Sequence, residues 1–248
     1  MARLVVEDLS HRFGPKEILR GIRFGLEAGE VVSVVGPSGG GKTTLLRLCA
    51  GLLEVEEGRV ENHFSRSAFA FQDPRLLPWQ NTLDNIAFGL KATGVERAQR
   101  QRRAMDIALD FGLEADDLKK FPKDLSGGMR QRASFARALV VEPELLFLDE
   151  PFSALDIGLK LELQQLLVHH IESREMAVLF ITHDLMEAVR LSDRILLLAA
   201  DPGRIVHHFE IPQSRSERGD EFVYEETARL LQHPRIMETF ELTLEARG

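Results

Sequence analysis

Short apolar segments separated by charged turns dominate both ends of the chain. The segments "RLVVEDL", "IRFGLE" and "EVVSVVG" alternate or run apolar over strand lengths and are bounded by Gly, Pro or charged residues. The runs "LLFLD" (Leu145–Asp149) and "AVLFIT" (Ala177–Thr182) are continuously apolar, which is typical of strands buried on both faces of a parallel sheet. Between them, residues 160–174 carry apolar side chains at helical spacing. This alternation predicts an α/β fold with a parallel core sheet.

The middle of the chain has a different pattern. From about Thr82 to Val140 it reads as one helix after another, and we interpret the basic run "ERAQRQRRAMD" as the solvated face of an amphipathic helix. An all-helical insert in an α/β core indicates a subdomain. We therefore predict one domain over residues 1–248, with a core at 1–73 and 142–218, a helical subdomain at 74–141 and a polar helical tail at 219–248.

Composition narrows the class of protein. The formal net charge of −8 argues against a general nucleic-acid binder, which is usually basic. No opening segment combines basic residues with an apolar run, so we expect no signal peptide. The apolar runs are far shorter than the roughly 20 residues that cross a bilayer. Cys49 is the single cysteine, which fits a reducing cytosol.

The segment "GPSGGGKT" fits the phosphate-loop pattern G-x-x-x-x-G-K-[ST]. It follows the strand-like "EVVSVV" and opens the amphipathic "KTTLLRLCAGLL". Backbone N–H groups of residues 39–44 are predicted to surround phosphate oxygens, Lys42 to reach the β- and γ-phosphates, and Thr43 to ligate Mg²⁺. The alternative is a glycine-rich turn that binds no ligand. The predicted ATP-binding residues of this loop are Gly36, Pro37, Ser38, Gly39, Gly40, Gly41, Lys42, Thr43 and Thr44.

Two adjacent carboxylates end a predicted core strand. Asp149 and Glu150 follow the buried run "LLFL", and ligands of open α/β sheets bind at the carboxyl ends of such strands. Asp149 suits the Mg²⁺ shell, and Glu150 can hold and polarise an attacking water. The alternative is that these acidic residues merely end a strand at the solvent boundary.

The stretch "LSGGM" places two glycines at the start of a predicted helix. Each glycine weakens a helix by about 1 kcal/mol relative to alanine, so close approach of a ligand or another chain is the usual reason for keeping it. Ser126 begins this helix, and the free N–H groups of a helix start favour an anion. A helix cap without a ligand is the alternative.

Taken together, these motifs resemble those of the ATP-binding subunits of ABC transporters, over nearly the whole chain. "LSGGM" (Leu125–Met129) resembles the ABC signature and "SALD" (Ser153–Asp156) the D-loop, while Gln72 and His183 resemble the Q-loop glutamine and the switch histidine. The chain departs from the family at Met129, where glutamine is common, and at Phe13, where a tyrosine often stacks on adenine.

The resemblance implies a P-loop NTPase core with a parallel sheet, an N-terminal antiparallel β subdomain and an inserted α-helical subdomain. It implies ATP and Mg²⁺ as ligands, with Lys42, Glu150 and His183 as catalytic residues. Mg²⁺ would be held by Thr43, Gln72 and, through water, Asp149. Phe13 would stack on adenine, with a core phenylalanine as the alternative. In a head-to-tail homodimer, one subunit would cover its partner's ATP with Leu125, Ser126, Gly127, Gly128 and Met129, next to the D-loop residues Ser153, Ala154, Leu155 and Asp156.

The segment from Gln72 to Leu90 resembles importers of nitrate, sulfonate, taurine and related solutes, through "PRLLPW" and "DNIAFGL". This implies a permease partner, a solute-binding protein as an indirect partner, and a peripheral place on the cytoplasmic face of the membrane. Leu76, Leu77 and Trp79 are expected in the groove that takes a coupling helix of the permease; packing inside the subdomain is the alternative. An ABC exporter subunit, a non-transport ABC ATPase and a scaffold without hydrolysis are the other candidate functions.

Overall fold

The computed structural model of the protein describes residues 3–153 and 155–242. The strands of this part of the chain are β1 Arg3–Phe13, β2 Lys16–Glu27, β3 Val31–Val35, β4 Glu57–Asn62, β5 Ser67–Ala70, β6 Leu145–Asp149, β7 Ala177–Thr182, β8 Arg194–Ala199 and β9 Arg204–Glu210. The α-helices are α1 Lys42–Cys49, α2 Thr82–Ile86, α3 Arg97–Asp110, α4 Gly127–Leu139, α5 Ile157–Arg174, α6 Leu185–Leu191, α7 Asp220–Leu231 and α8 Pro234–Thr239.

The chain folds into two units. The first contains the described residues up to Phe64 and from Ala177 onward, and the second is Ser65–Met176. The limits of the two units follow the contacts within each unit. The sequence-based boundaries after residues 73, 141 and 218 instead follow changes in the pattern of apolar and polar residues. The sequence-based boundaries of core, helical subdomain and tail stay a prediction.

The first unit contains two sheets. In one sheet β1 pairs antiparallel with β2 on one side and with β4 on the other, which is the N-terminal antiparallel arrangement that the resemblance implies. In the other, β3 lies between β7 and β8 and is parallel to both, and β9 pairs antiparallel with β8. Every residue of β3 and β7 is buried, as expected for continuous apolar strands with both faces covered.

Helices of the first unit cover one face of this parallel sheet. Val35 of β3 and Leu197 of β8 share an apolar cluster with α6, α7 and α8. The cluster includes Val223 of α7 and Ile236 of α8, both fully buried. The tail that the sequence predicted as helical from residue 219 contains α7 and α8, which ends at Thr239. Residues 243–248 of that tail lie outside the described residues.

The second unit joins the parallel pair β5 and β6 to helices α2, α3, α4 and α5. Stacked rings form its centre: Phe135 of α4 lies between Phe111 and Phe152, with ring centroids 6.0 and 5.6 Å away. Every regular element within residues 74–141 is helical, as the apolar spacing predicted. None of the described helices is long and apolar enough to cross a membrane.

Candidate functional site

The glycine-rich loop of the first unit runs from the end of β3 to the start of α1. Gly39 and Gly41 have φ angles of 77° and 93°. Residues that carry a Cβ rarely adopt such backbone angles. A Cβ on Gly36 would lie 2.2 Å from the carbonyl oxygen of Leu198. The first turn of α1 carries no acidic residue, so nothing there opposes an anion at its N-terminus. The loop therefore has the backbone shape and the polarity of a phosphate site.

Lys42 is held against this loop. Its side chain is only 5% exposed, and its Nζ donates to the carbonyl oxygens of Gly36 (2.8 Å) and Pro37 (2.9 Å). Gly40 also donates its N–H to the carbonyl of Pro37, at 3.2 Å. Because the loop fixes the ammonium group without a substrate, little side-chain entropy remains to be lost when an anion binds.

The turn that carries His183 is fixed on both sides. The Thr182 hydroxyl donates to the Glu187 carboxylate at 2.5 Å and accepts the N–H of Asp184 at 3.0 Å. Asp184 in turn caps α6, because its Oδ1 accepts the N–H of Met186 at 2.8 Å. His183 itself is exposed at the end of the buried strand β7. It is thus presented on a rigid turn at the carboxyl end of a parallel strand.

Phe13 ends β1 in the same unit and is 52% exposed. Its ring meets His11 edge to face, with centroids 4.8 Å apart. A core phenylalanine, the alternative from the sequence, does not describe this side chain. Its exposed ring is available for stacking, and its adenine role stays a prediction.

In the second unit, hydrogen bonds link two of the predicted residues, Ser153 and Gln72, to Glu150. The Ser153 hydroxyl donates to the Glu150 carbonyl at 3.1 Å, and Gln72 Nε2 donates to Ser153 Oγ at 3.4 Å. Glu150 has a φ of 44°, a conformation that costs a non-glycine residue of the order of 1 kcal/mol and is common at functional sites. Asp149, one residue earlier, is the last residue of β6 and is buried.

Sequence reasoning missed a contact of Gln131. This side chain is buried in α4, and its Nε2 donates to the carbonyl of Pro151 at 2.7 Å. Together with the Ser153 hydroxyl, it holds two successive main-chain carbonyls, those of Glu150 and Pro151. The one sequence signal for this role is that Gln131 is a polar residue at a buried position of α4.

The two glycines of the predicted signature have different surroundings. Ser126 caps α4, because its Oγ accepts the N–H of Met129 at 3.2 Å. A Cβ on Gly128 would lie 2.5 Å from Leu159 Cδ2 of α5, so packing is close there and the end of the Leu159 side chain would have to shift to admit a larger residue. Around Gly127 the nearest atom to such a Cβ is 4.0 Å away. Gly127 is therefore the signature glycine whose presence packing does not explain. The remaining signature residue, Leu125, is buried.

The predicted D-loop leads into α5. Asp156 caps this helix, with its Oδ1 accepting the N–H of Leu159 at 3.0 Å, and Leu155 N–H donates to the carbonyl of Phe152 at 3.3 Å. Ala154 lies outside the described residues. Ile157, directly after the D-loop, is 79% exposed.

The predicted docking segment is organised by Asn85, which sequence reasoning also missed. This fully buried side chain accepts the N–H of Leu77 (2.7 Å) and donates to the carbonyls of Leu77, Gln80 and Asn81. Trp79 is 71% exposed on the turn so formed, whereas Leu76 and Leu77 are half-buried. Arg137 of α4 donates to the carbonyls of Pro74 and Arg75, and burial lowers the pKa of its guanidinium.

The residues predicted at Mg²⁺ offer a set of oxygen atoms. Among the described residues no cluster of three or more His, Cys, Asp or Glu side chains could hold a metal ion. A hydroxyl on Thr43, an amide oxygen on Gln72 and a carboxylate on Asp149 are nonetheless the hard ligands that Mg²⁺ prefers, with water and phosphate completing its shell. Gln72 contacts Ser153 through its nitrogen, which directs its oxygen elsewhere. The side chains present therefore fit this ion.

Comparison with known proteins gives a consistent result. Residues 19–153 match the family model described as ABC transporter. The aliphatic sulfonates import ATP-binding protein SsuB of Corynebacterium glutamicum is 43% identical over 227 residues, which cover 92% of each chain. The taurine import ATP-binding protein TauB of Escherichia coli K12 is 41% identical over 219 residues, 86% of each chain.

Solved structures agree with the family match. The dimeric structure of MJ0796, a bacterial ABC transporter cassette, matches with a TM-score of 0.77 and 28% identity, covering 85% of this chain and all of that one. A dimeric post-hydrolysis state of MJ0796 with ADP and Pi matches at 0.75 and 26% identity, over the same shares. These comparisons confirm the predicted fold, the kinship with the sulfonate and taurine importers, and the activity class. The chain belongs to the ABC transporter family, as one of its ATPases.

Proposed function

We propose that the protein hydrolyses MgATP to power import of a small solute, a nitrate-, sulfonate- or taurine-like anion or a related compound, through a membrane permease. The observation that carries this proposal is the buried ammonium group of Lys42, fixed by Gly36 and Pro37 inside a loop of positive-φ glycines. Such a loop suits phosphate, because its backbone N–H groups and the start of α1 favour an anion. The SsuB and TauB relatives, both ATP-binding proteins of import, support the coupling to uptake.

The phosphate loop binds and orients the nucleotide. Lys42 would contact the β- and γ-phosphates, and N–H groups at the start of α1 would contact phosphate oxygens. Thr43, Gln72 and Asp149 would hold Mg²⁺, which when bound neutralises charge on the phosphate oxygens. The exposed ring of Phe13 would stack on the adenine.

Glu150 acts on the attacking water in this proposal. Its carboxylate would orient the water and accept its proton. The bonds from Ser153 and Gln131 to neighbouring carbonyls restrain the backbone that aims this carboxylate, and a restrained base loses less entropy on reaching the productive geometry. His183, on its capped turn, would hydrogen-bond the γ-phosphate.

A homodimer completes the active form that we propose. Ser126 and Gly127 would face the γ-phosphate bound by the partner, where the open space beside Gly127 permits close approach. The D-loop would lie against the partner at the same interface. The permease would bind this dimer at the cytoplasmic face of the membrane and deliver solute from a solute-binding protein.

Co-purification with the cognate permease tests the import function. Reconstituted in vesicles, the complex should hydrolyse ATP faster when a transported anion and its binding protein are present. Nitrate, taurine and an alkanesulfonate should be compared one by one. Hydrolysis that none of these solutes stimulates, in a complex shown to assemble, would contradict this solute class. Export of a labelled solute would instead establish the exporter alternative.

A further inference from the structure

The side chain of His11, in β1, is buried without a hydrogen-bond partner. Only 6% of it is exposed, and within residues 3–153 and 155–242 neither of its ring nitrogens is hydrogen-bonded. A neutral imidazole always carries one N–H group and one acceptor nitrogen, and buried polar groups of native proteins are nearly always paired. The adjacent Ser10 follows this rule, because its hydroxyl oxygen accepts the Gly21 N–H at 3.0 Å. The burial of His11 therefore needs another explanation.

The aromatic neighbour of His11 is Phe13. The centroids of the two rings lie 4.8 Å apart, and their planes meet at 86°. In such a pair the edge of one ring points at the face of the other, which is favourable because the edge is positive and the face is negative. An N–H group that points at an aromatic face forms a weak hydrogen bond with it. The ring of Phe13 can thus supply the partner that His11 lacks.

The strand pair that carries these two rings lies beside the phosphate loop. His11 stands opposite Leu19 of β2. A Cβ placed on Gly41 of the loop would lie 2.8 Å from Leu19 Cδ2 and 3.2 Å from Ile18 Cγ2, so β2 contacts the loop directly. All of these residues belong to the first unit. The strands that hold His11 and Phe13 are therefore neighbours of the loop that is proposed to bind the phosphates.

We propose that His11 positions Phe13 for the nucleotide base, with the edge of its imidazole against one face of the Phe13 ring. Phe13 is 52% exposed, so the other side of its ring is left for the adenine. A ring that a buried neighbour holds in one orientation loses less entropy when the base stacks on it. This inference rests on the proposed function, because it takes Phe13 as the residue that contacts the base. It adds a positioning residue that affects binding of the base and not of the phosphates.

ADP and inorganic pyrophosphate separate these two parts of the nucleotide site. Both offer a diphosphate to the phosphate loop, but only ADP has a base, and neither supports ATP turnover. Calorimetry on the full-length protein measures both dissociation constants. We expect His11→Leu to weaken ADP binding about fivefold, a typical strength for an aromatic pair, and to leave pyrophosphate binding unchanged.

Stability gives an independent measurement. Leucine removes the unpartnered nitrogens and keeps apolar bulk, so the melting temperature of His11→Leu should be unchanged or higher. His11→Phe restores a ring edge against Phe13 and should keep ADP affinity within about twofold of the wild type. Ser10→Ala is the matched control, because it removes the bond to Gly21 in the same strand. It should lower the melting temperature without changing the ratio of ADP to pyrophosphate affinity.

A double-mutant cycle tests whether His11 acts through Phe13. Phe13→Leu should weaken ADP binding and leave pyrophosphate binding unchanged, and adding His11→Leu to it should cause no further loss. Additive losses of ADP affinity, unchanged ADP binding in His11→Leu, or an equal loss of pyrophosphate binding would overturn the proposal.

Should His11→Leu not fold, His11→Met replaces it with the same expected results, because the flexible methionine side chain adapts to irregular space. Wild-type protein that binds neither ADP nor pyrophosphate would contradict the proposed function. Normal ADP binding that no folded His11 variant changes would contradict only the role of His11.

Discussion

Gln131 in the signature helix donates its side-chain amide to the carbonyl oxygen of Pro151, 2.7 Å away, in a buried contact. Pro151 directly follows Glu150, so this bond joins the helix that begins with the signature to the segment that carries the proposed catalytic base. The two segments are thus joined directly within the second unit, so a change at one can reach the other through this bond.

Gln131→Leu should therefore affect both stability and turnover. Removing the donor leaves a buried carbonyl unsatisfied, which costs about 1–3 kcal/mol of unfolding free energy. Because Glu150 loses part of its backbone support, we also expect kcat to fall while ATP affinity stays close to that of the wild type. Urea unfolding and steady-state hydrolysis measure the two effects.

Gln164→Leu is the control for this experiment. Gln164 is equally buried, but its Nε2 has no hydrogen-bond partner among the described residues, so an apolar substitute should be neutral or stabilising. Equal losses of turnover in the Gln131 and Gln164 variants would show that core disruption, and not the bond to Pro151, controls Glu150.

Glu150→Gln tests the proposed base. A glutamine keeps the shape and the hydrogen-bonding oxygen but cannot accept the proton, so MgATP should bind normally while turnover falls by about 100-fold or more. A stable ATP-bound dimer should then appear by size-exclusion chromatography.

Lys42→Ala should instead lose nucleotide binding itself.

Glu142→Gln provides a matched comparison, because Glu142 also has a positive φ, of 51°, and lies in the same unit. It forms an ion pair with Arg103 and should keep nearly full turnover. Normal steady-state hydrolysis by Glu150→Gln would exclude Glu150 as the catalytic base.

The core strands and the helical insert were predictable because each depends on the local spacing of apolar and polar residues. The apolar runs at 145–149 and 177–182 coincide with β6 and β7, and the helical spacing at 160–174 lies within α5. The phosphate loop was predictable for another reason: a narrow set of backbone angles at Gly39 and Gly41 restricts the residues that can stand there.

The contacts of Gln131 and Asn85 could not be predicted in the same way. Each joins a side chain to main-chain carbonyls, and the partner of Gln131 is 20 residues away. A carbonyl partner leaves no trace in the sequence, since every residue type supplies one. Gly128 shows a second limit of what the sequence can predict. The sequence explained a signature glycine by the close approach of a ligand or of another chain, whereas a Cβ on Gly128 would also crowd the Leu159 side chain of α5.

Acid should weaken the second unit through Asp117. Its carboxylate accepts the Glu114 N–H at 3.0 Å and pairs with Lys120 at 2.7 Å, and these bonds, the Lys120 bond first, lower the pKa of Asp117 below its usual value. A carboxyl whose pKa is lowered by folding stabilises the fold above its unfolded pKa of about 3.9, and this stability is lost as the pH falls through the folded pKa.

We therefore expect Asp117→Asn to lower stability at pH 7 and to make less difference as the pH falls below about 4. Unfolding of both proteins over this pH range, and a carbon NMR titration of the Asp117 carboxyl, measure the effect. Asp116→Asn is the control, because its pair with Lys119 is exposed and such pairs contribute little. A loss at pH 7 that persists unchanged at low pH would contradict the role assigned to the Asp117 charge.

The dimer is tested by mixing two inactive proteins, Lys42→Ala and Ser126→Arg. Lys42→Ala removes the positive charge that would bind the phosphates. Ser126→Arg places a bulky side chain at the anion position at the start of α4. Ser126→Ala is the control for the second variant, because it loses the cap on Met129, at a cost of about 1 kcal/mol, without adding bulk. It should still occlude ATP.

Each inactive protein alone should form dimers without an intact site, but the mixed dimer depends on which subunit supplies Ser126. If the signature acts on the partner's ATP, both lesions fall in one composite site and the other site stays whole; if it acts on its own subunit's ATP, both sites are broken. We predict the first outcome, with ATP occlusion of about half a site per protomer in the mixed dimers. Occlusion is the better measurement, because turnover can require both sites to close together. No gain over the parents, with mixed dimers shown to form by mass spectrometry, would mean that Ser126 and Gly127 do not face the partner's nucleotide.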